Sequence, residues 1–252
     1  MSSISKPFYA VIAGVGAGTG RSVALRFAQA YPVVLLSRRP ESYNPVVDEI
    51  RQQGGEALGI STDLTDPNSV KAAFETIKRE LPGRQLAAAI YNASSRPSIK
   101  SFLDTTPDDL SRSLVGNAHG LLNFAHSALP LLLSSVSATP APPYPPTLII
   151  TGATASLRGS ARFGAFAAGK FAVRALGQSL AREFGPQGVH VAHVIVDGVI
   201  DMPLTKGWPA NGGVEDGKLN PDAIADSYWH LHTQHRSSFT QELDLRPYVE
   251  KF

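Results

Sequence analysis

The sequence predicts a single doubly wound α/β domain, a parallel sheet of about seven strands with helices on both faces. Three observations predict it. Short, nearly continuous apolar runs alternate with longer stretches of helical periodicity along the chain, the pattern of strands buried on both faces. A glycine-rich turn, Gly14-Val15-Gly16-Ala17-Gly18-Thr19-Gly20, joins the first apolar run to the first helical stretch. The 252 residues, 43% of them hydrophobic, supply enough apolar surface for one core of that kind.

The elements follow in order. Strands are expected over 8–13, 33–36, 57–61, 86–91, 148–151, 189–196 and 239–245, and helices over 18–30, 45–53, 68–80, 108–133, 162–184 and 221–234. Thr106 and Pro107 read as the cap and first residue of the fourth helix. Residues 138–146 hold five prolines in nine and read as a loop. The stretch 202–220 is rich in Gly, Pro and Asn and reads as a lid, with 199–220 as its outer bounds. Cutting at the proline loop would leave each half-sheet unpaired, so residues 1–252 read as one domain.

Composition excludes several classes. A net charge of +2 without a basic block argues against nucleic acid or an anionic membrane surface as partner. The absence of cysteine excludes disulfides and thiol redox chemistry. The central apolar stretch 121–133 contains Asn123, His126 and Pro130, and falls short of the roughly 20 apolar residues a spanning helix needs. The residues before the first strand are too few for a secretory leader. The expectation is a soluble, cytoplasmic protein acting on a small molecule.

The glycine turn carries the chemistry. Between a strand and a helix, glycines allow a tight turn and close approach of the backbone to a pyrophosphate, while the helix start offers free N–H groups. That is the Rossmann arrangement, with Gly14, Gly16, Gly18, Thr19 and Gly20 as the cofactor-binding turn. After the second strand the chain reads Ser37-Arg38-Arg39, where NAD-binding folds carry an acid for the ribose hydroxyls. Two guanidiniums suit a 2′-phosphate instead, so the expected cofactor is NADP(H).

The spacing Gly14-x-x-x-Gly18-x-Gly20 resembles that of the short-chain dehydrogenases/reductases, and the likeness extends over nearly the whole chain. Asp63-Leu64 resembles the family's adenine-contacting pair, and Asn92-Ala93-Ser94 its cofactor-lining Asn-Ala-Gly. Asn117 resembles its helix-four asparagine, Lys170 its catalytic lysine, and Asp197-Gly198 its Pro-Gly at the end of strand six. The resemblance implies a tyrosine four residues before the lysine, on the same helix face, and a serine thirteen residues before that tyrosine. Here those positions read Phe166 and Ala153, with Gly159 supporting the register. Neither side chain has a donor, so the family's usual proton relay cannot operate. The family's threonine after Pro-Gly reads Met202. The chain thus resembles an atypical branch that lacks the active-site tyrosine and serine. Lys170 can bind the nicotinamide ribose or polarise a substrate.

Candidates for the missing donor remain. Asp197, at a strand's C-terminal end, has two readings: a desolvated acid, or a carboxylate accepting local bonds. Thr154 and Ser156 can hold a substrate oxygen or merely form a turn. His119 and His126 lie off the Asn117 face of their helix. His193 reads as a hydrogen-bonded core residue, and no histidine set has metal-ligand spacing. The favoured function is NADP(H)-dependent reduction of a small organic carbonyl or an imine or iminium. The alternatives are a non-redox isomerase or cyclase, and a cofactor-binding regulatory subunit without turnover. By resemblance alone, packing of the helices 108–133 and 162–184 across subunits implies a homodimer or homotetramer.

Overall fold

The structure is a computed structural model describing residues 7–251. Apolar residues fill β1 (Phe8–Ala13), β4 (Gln85–Tyr91), β5 (Thr147–Thr151) and β6 (His190–Val196) almost without alternation, and these strands are buried on both faces. The flanking strands β2 (Val33–Ser37), β3 (Ala57–Ser61) and β7 (Glu242–Leu245) complete one sheet in the order β3-β2-β1-β4-β5-β6-β7. Every pairing is parallel. Burial falls off at both edges, where β3 and β7 are only partly covered.

Helices cover both faces. On one side α1 (Thr19–Ala28), α2 (Pro40–Gln52) and α7 (Pro221–His232) pack Val23, Phe27, Ile50 and Tyr228 against Ala10 and Ile12. On the other, α3 (Pro67–Glu80), α5 (Gly120–Val136) and α6 (Gly164–Phe184) pack Phe74, Phe124 and Val173 against Tyr9 and Val11. The expected strands and layers are present. No helix among the described residues is long and apolar enough to cross a membrane.

Helix boundaries show where local chemistry was misread. α2 begins at Pro40, not Pro45: Arg39 is its N-terminal flanking residue, Pro40 takes the first position, and Pro45 lies inside the helix. The helix expected over 108–133 is broken into α4 (Pro107–Leu114), a π turn (Val115–His119) and α5. The cause is local. The Tyr91 hydroxyl donates to the Asn117 carbonyl at 2.9 Å, and a side chain on Gly120 would meet that hydroxyl at 2.5 Å. A partner inserted beside the helix ladder widens it to a π turn. The α4 start is as expected, with Thr106 and Asp109 capping each other. The last strand is shorter than 239–245, because residues before Glu242 turn back onto Gln234.

The strand order reverses between β1 and β4, which opens a crevice at the C-terminal ends of the central strands. Gly14 ends β1 there with φ +90, and a Cβ on it would lie 2.5 Å from the Ala93 backbone nitrogen. Both the left-handed conformation and the close approach require glycine. Gly14→Ala is expected to destabilise the fold by about 2 kcal/mol or more, lowering Tm by about 5 °C. An unchanged Tm by calorimetry would show that this turn tolerates a side chain.

Candidate functional site

The site begins at α1. Its N-terminus has no side-chain cap and no acid in its first turn. The Thr19 hydroxyl at its first position is buried and without a hydrogen-bond partner, while Gly16 has open space where a side chain would be. A buried hydroxyl without a partner is costly, and free helix N–H groups attract anions. These residues fit a dinucleotide pyrophosphate.

A cleft of about 890 Å³ opens beside this turn. Of the residues expected at a cofactor, it gathers Gly14, Gly16, Ser37 and Arg38 from the β1 and β2 ends. Asp63, Leu64, Asn92, Ala93 and Ser94 line it from the β3 and β4 ends. The Asp63 carboxylate accepts from Thr65 N at 2.9 Å and Thr65 Oγ1 at 2.8 Å, bonds that hold its pKa below the ordinary value. Arg39 is not among the residues that line the cleft; it is exposed and flanks the start of α2, with no side-chain capping bond. Gly18, Thr19 and Gly20 lie in the turn beside the cleft, and Gly198 packs on Pro247 at the end of β6.

Sequence reasoning missed one wall. Ser95, Arg96, Ser111, Arg112, Val115 and Gly116 also line the cleft. Asp109, with its side chain almost fully buried, fixes that wall. It accepts from Thr106, Lys100 and Ser98, pairs with Arg112 at 2.5 Å, and its carboxyl is held well below the usual range, chiefly by the Thr106 backbone N–H. The only advance signal was the Thr106-x-x-Asp109 cap that orients α4.

Asn117 sits in the π turn and is fully buried. Its amide donates to Ser95 Oγ at 2.7 Å and Ser113 O at 2.9 Å, and its oxygen accepts from Ser94 Oγ at 3.0 Å. Lys170 is 3% exposed, and its Nζ donates to Thr151 O at 3.3 Å. Burial pulls its pKa down from 10.5 to about 8. Phe166 stands one helical turn before Lys170 and is half-buried, as is Ala153.

Asp197 is buried, accepts a short hydrogen bond from Thr154 Oγ1 and faces the Arg246 guanidinium at 3.5 Å. That environment is one of a carboxylate with partners. Ser156 is fully buried and its hydroxyl accepts from Ala153 N at 3.1 Å, a turn-forming role. His193 is buried as expected, but neither ring nitrogen makes a hydrogen bond; Nδ1 lies 3.4 Å from Glu242, which Arg174 grips through two N–H groups.

Residues 9–211 match the family described as short chain dehydrogenase. A short-chain dehydrogenase/reductase of Armillaria gallica is 28% identical over 227 residues, 88% of this chain and 82% of that protein. A crystal structure of a short-chain dehydrogenase from Rhodopseudomonas palustris is 31% identical, covers 95% of this chain and 99% of that one, and superposes with a TM-score of 0.75. A metagenomic short-chain oxidoreductase in complex with NADP shares the fold at TM-score 0.79 and 22% identity, over 98% of this chain and 100% of that one. The chain belongs to the short-chain dehydrogenase family, a family of oxidoreductases.

The buried histidines make stability depend on pH. Burial lowers His193 from 6.5 to about 4 and His232 from 6.5 to about 3, so both are neutral in the folded chain near neutrality. The unfolded chain takes up these protons below about 6.5 while the folded chain does not, so stability present above 6.5 is lost as pH falls towards 4. The His193 share is on the order of 3 kcal/mol. Urea unfolding should show this loss, and His193→Gln should flatten it; identical pH slopes in variant and wild type would contradict the assignment.

Proposed function

We propose that this protein is an NADP(H)-dependent oxidoreductase that reduces a small organic carbonyl or an imine or iminium in an unconventional site. The observation that carries the reading is the bare start of α1, uncapped and with the Thr19 hydroxyl unpartnered, at the point where the strand order reverses. The α1 N–H groups and Thr19 would hold the pyrophosphate. Arg38, exposed at the cleft rim beside Ser37 and with no acid at its position, would grip a 2′-phosphate. Asp63, Leu64, Asn92 and Ala93 would line the adenosine half.

When bound, the nicotinamide would supply a hydride. Lys170, which spends one N–H on Thr151 O, has further N–H groups for the nicotinamide ribose. Asn117 fixes Ser94 and Ser95 at the same wall. By spacing from Lys170 and Gly159, Phe166 and Ala153 stand where the resemblance implies a tyrosine and a serine that hold the reacting oxygen. Of the two readings of Asp197, the bond from Thr154 and the nearness of Arg246 favour the one in which it accepts local bonds. An iminium carbon accepts hydride without a proton, so this pocket suits it best. The segment 199–220 would shape substrate choice as a lid. A homodimer or homotetramer would cover the exposed Leu110, Leu122 and Phe171 on α4, α5 and α6.

A second reading is favoured by the same Phe166 and Ala153: a non-redox isomerase or cyclase that keeps the cofactor unconsumed. Assaying a panel of imines, iminiums and carbonyls with NADPH separates the two. Loss of NADPH absorbance supports reduction; product without NADPH loss supports the second reading. NADPH is expected to bind at least about ten-fold tighter than NADH, and Arg38→Ala to remove that preference. Equal affinities in the wild type would defeat the cofactor assignment. The pair Phe166→Tyr and Ala153→Ser is expected to confer carbonyl reduction; an inert but NADPH-binding pair would show that a further departure blocks it.

A further inference from the structure

The glycine turn has a neighbour that the proposed reaction does not use. A Cβ built on Gly18 would lie 2.7 Å from the Met202 sulfur, so the thioether rests directly on the turn that starts α1. Met202 is half-buried and also lines a cleft of about 830 Å³ with Asp201, Pro203, Lys206 and Trp208. A residue on a cleft wall and only half-buried is one that small solutes can approach.

The segment carrying Met202 is stapled in place. Its ends pair where Leu219 N donates to Val199 O and Asp201 N to Leu219 O, both at 2.8 Å. Lys218 Nζ donates to Thr205 O at 2.8 Å and Lys206 O at 3.0 Å, and Asn211 Nδ2 ties the segment to Glu250 at 2.8 Å. Thr205 Oγ1 accepts from Met202 N at 3.2 Å. Motion of the backbone therefore does not readily lift the sulfur off Gly18.

We propose that Met202 is an oxidation site that closes the dinucleotide turn: a hydroperoxide converts its thioether to a sulfoxide, which occupies the donors the pyrophosphate needs. The inference rests on the dinucleotide reading above. In the step, sulfur attacks the distal oxygen of hydrogen peroxide. An S–O bond forms, the O–O bond breaks, and proton transfer releases water; sulfur is oxidised by two electrons and the peroxide reduced by two. A thioether is a weak acceptor and leaves the start of α1 bare. A sulfoxide is polar, larger and a strong acceptor. Gly18 is the residue that flanks the uncapped N-terminus of α1, next in sequence to the buried, partnerless Thr19 hydroxyl, so an acceptor placed there would compete for the same groups that fit a phosphate. The oxidised side chain caps the helix from within the molecule and excludes the ligand by competition. Methionine sulfoxide reductase reverses the change.

The chain suits a clean experiment. It has no cysteine and two methionines, and Met1 falls in a different tryptic peptide from 183–206, which holds Met202. The full-length protein is treated with hydrogen peroxide, oxidation is read as one added oxygen on peptide 183–206, and NADPH affinity is titrated by fluorescence before and after. The expected result is a Kd raised by about ten-fold or more, restored by the reductase, with unchanged far-UV circular dichroism. Met202→Leu should bind NADPH with the same Kd before and after peroxide. Met202→Gln, a permanent acceptor of similar length, should bind weakly without peroxide. If peptide 183–206 takes up no oxygen, or takes it up with Kd unchanged, or if Met202→Leu loses affinity as the wild type does, the proposal is overturned. If the untreated protein binds no NADPH at all, the dinucleotide reading falls first and takes this one with it.

Discussion

The glycine turn is held by one chain of hydrogen bonds. Asn92 Nδ2 donates to Gly14 O at 3.0 Å, Thr151 Oγ1 donates to Asn92 Oδ1 at 3.1 Å, and the buried Tyr228 hydroxyl lies 2.7 Å from Thr151 Oγ1. These bonds tie the ends of β1, β4 and β5 to α7, on the line where the strand order reverses. The Thr151 carbonyl also accepts from Lys170. One buried polar network thus sets the turn and the lysine relative to each other, so that the free start of α1, the cleft and the half-buried Phe166 share one end of the sheet. A buried network of this kind fixes geometry because breaking any member leaves polar groups without partners.

The charges behind the lysine form a second layer. Lys170 and Arg174 lie one turn apart on α6, Glu242 takes Arg174, and His193 stays neutral between them. A protonated His193 would add a third positive charge near Lys170 and Arg174, which reinforces the loss of its proton through burial. Asp197 and Arg246 face each other across the β6 and β7 ends, and Thr154 completes the carboxylate's partners. The charges around Lys170 are therefore largely paired, and the Asp197 carboxyl already has partners, which supports the proposed acceptance of hydride without proton donation from Asp197.

Most of the architecture was legible because β-strands buried on both faces leave an unbroken apolar record, and capping residues such as Thr106 mark helix starts. The glycine turn was legible because its spacing has a steric cause, visible at Gly14. What escaped the sequence depends on contacts between distant residues. The π turn at Asn117 follows from the Tyr91 hydroxyl, which lies 26 residues away. Arg39 was legible as a neighbour of Arg38, but not as the residue that flanks the start of α2 at Pro40. The wall carrying Arg96 and Arg112 needed the buried Asp109 to orient it. The position of the Met202 sulfur over Gly18 depends on a loop closure that no local pattern records.

In the proposed function, the bare start of α1 and Arg38 together hold NADP. A crystal structure of the protein grown with NADP⁺ tests it most directly. The expected density places the pyrophosphate against Gly16 and the first N–H groups of α1, with a hydrogen bond from Thr19 Oγ1, and the 2′-phosphate against Arg38. Density for the dinucleotide elsewhere, or a pyrophosphate at this turn with the 2′-phosphate turned away from Arg38, would contradict it.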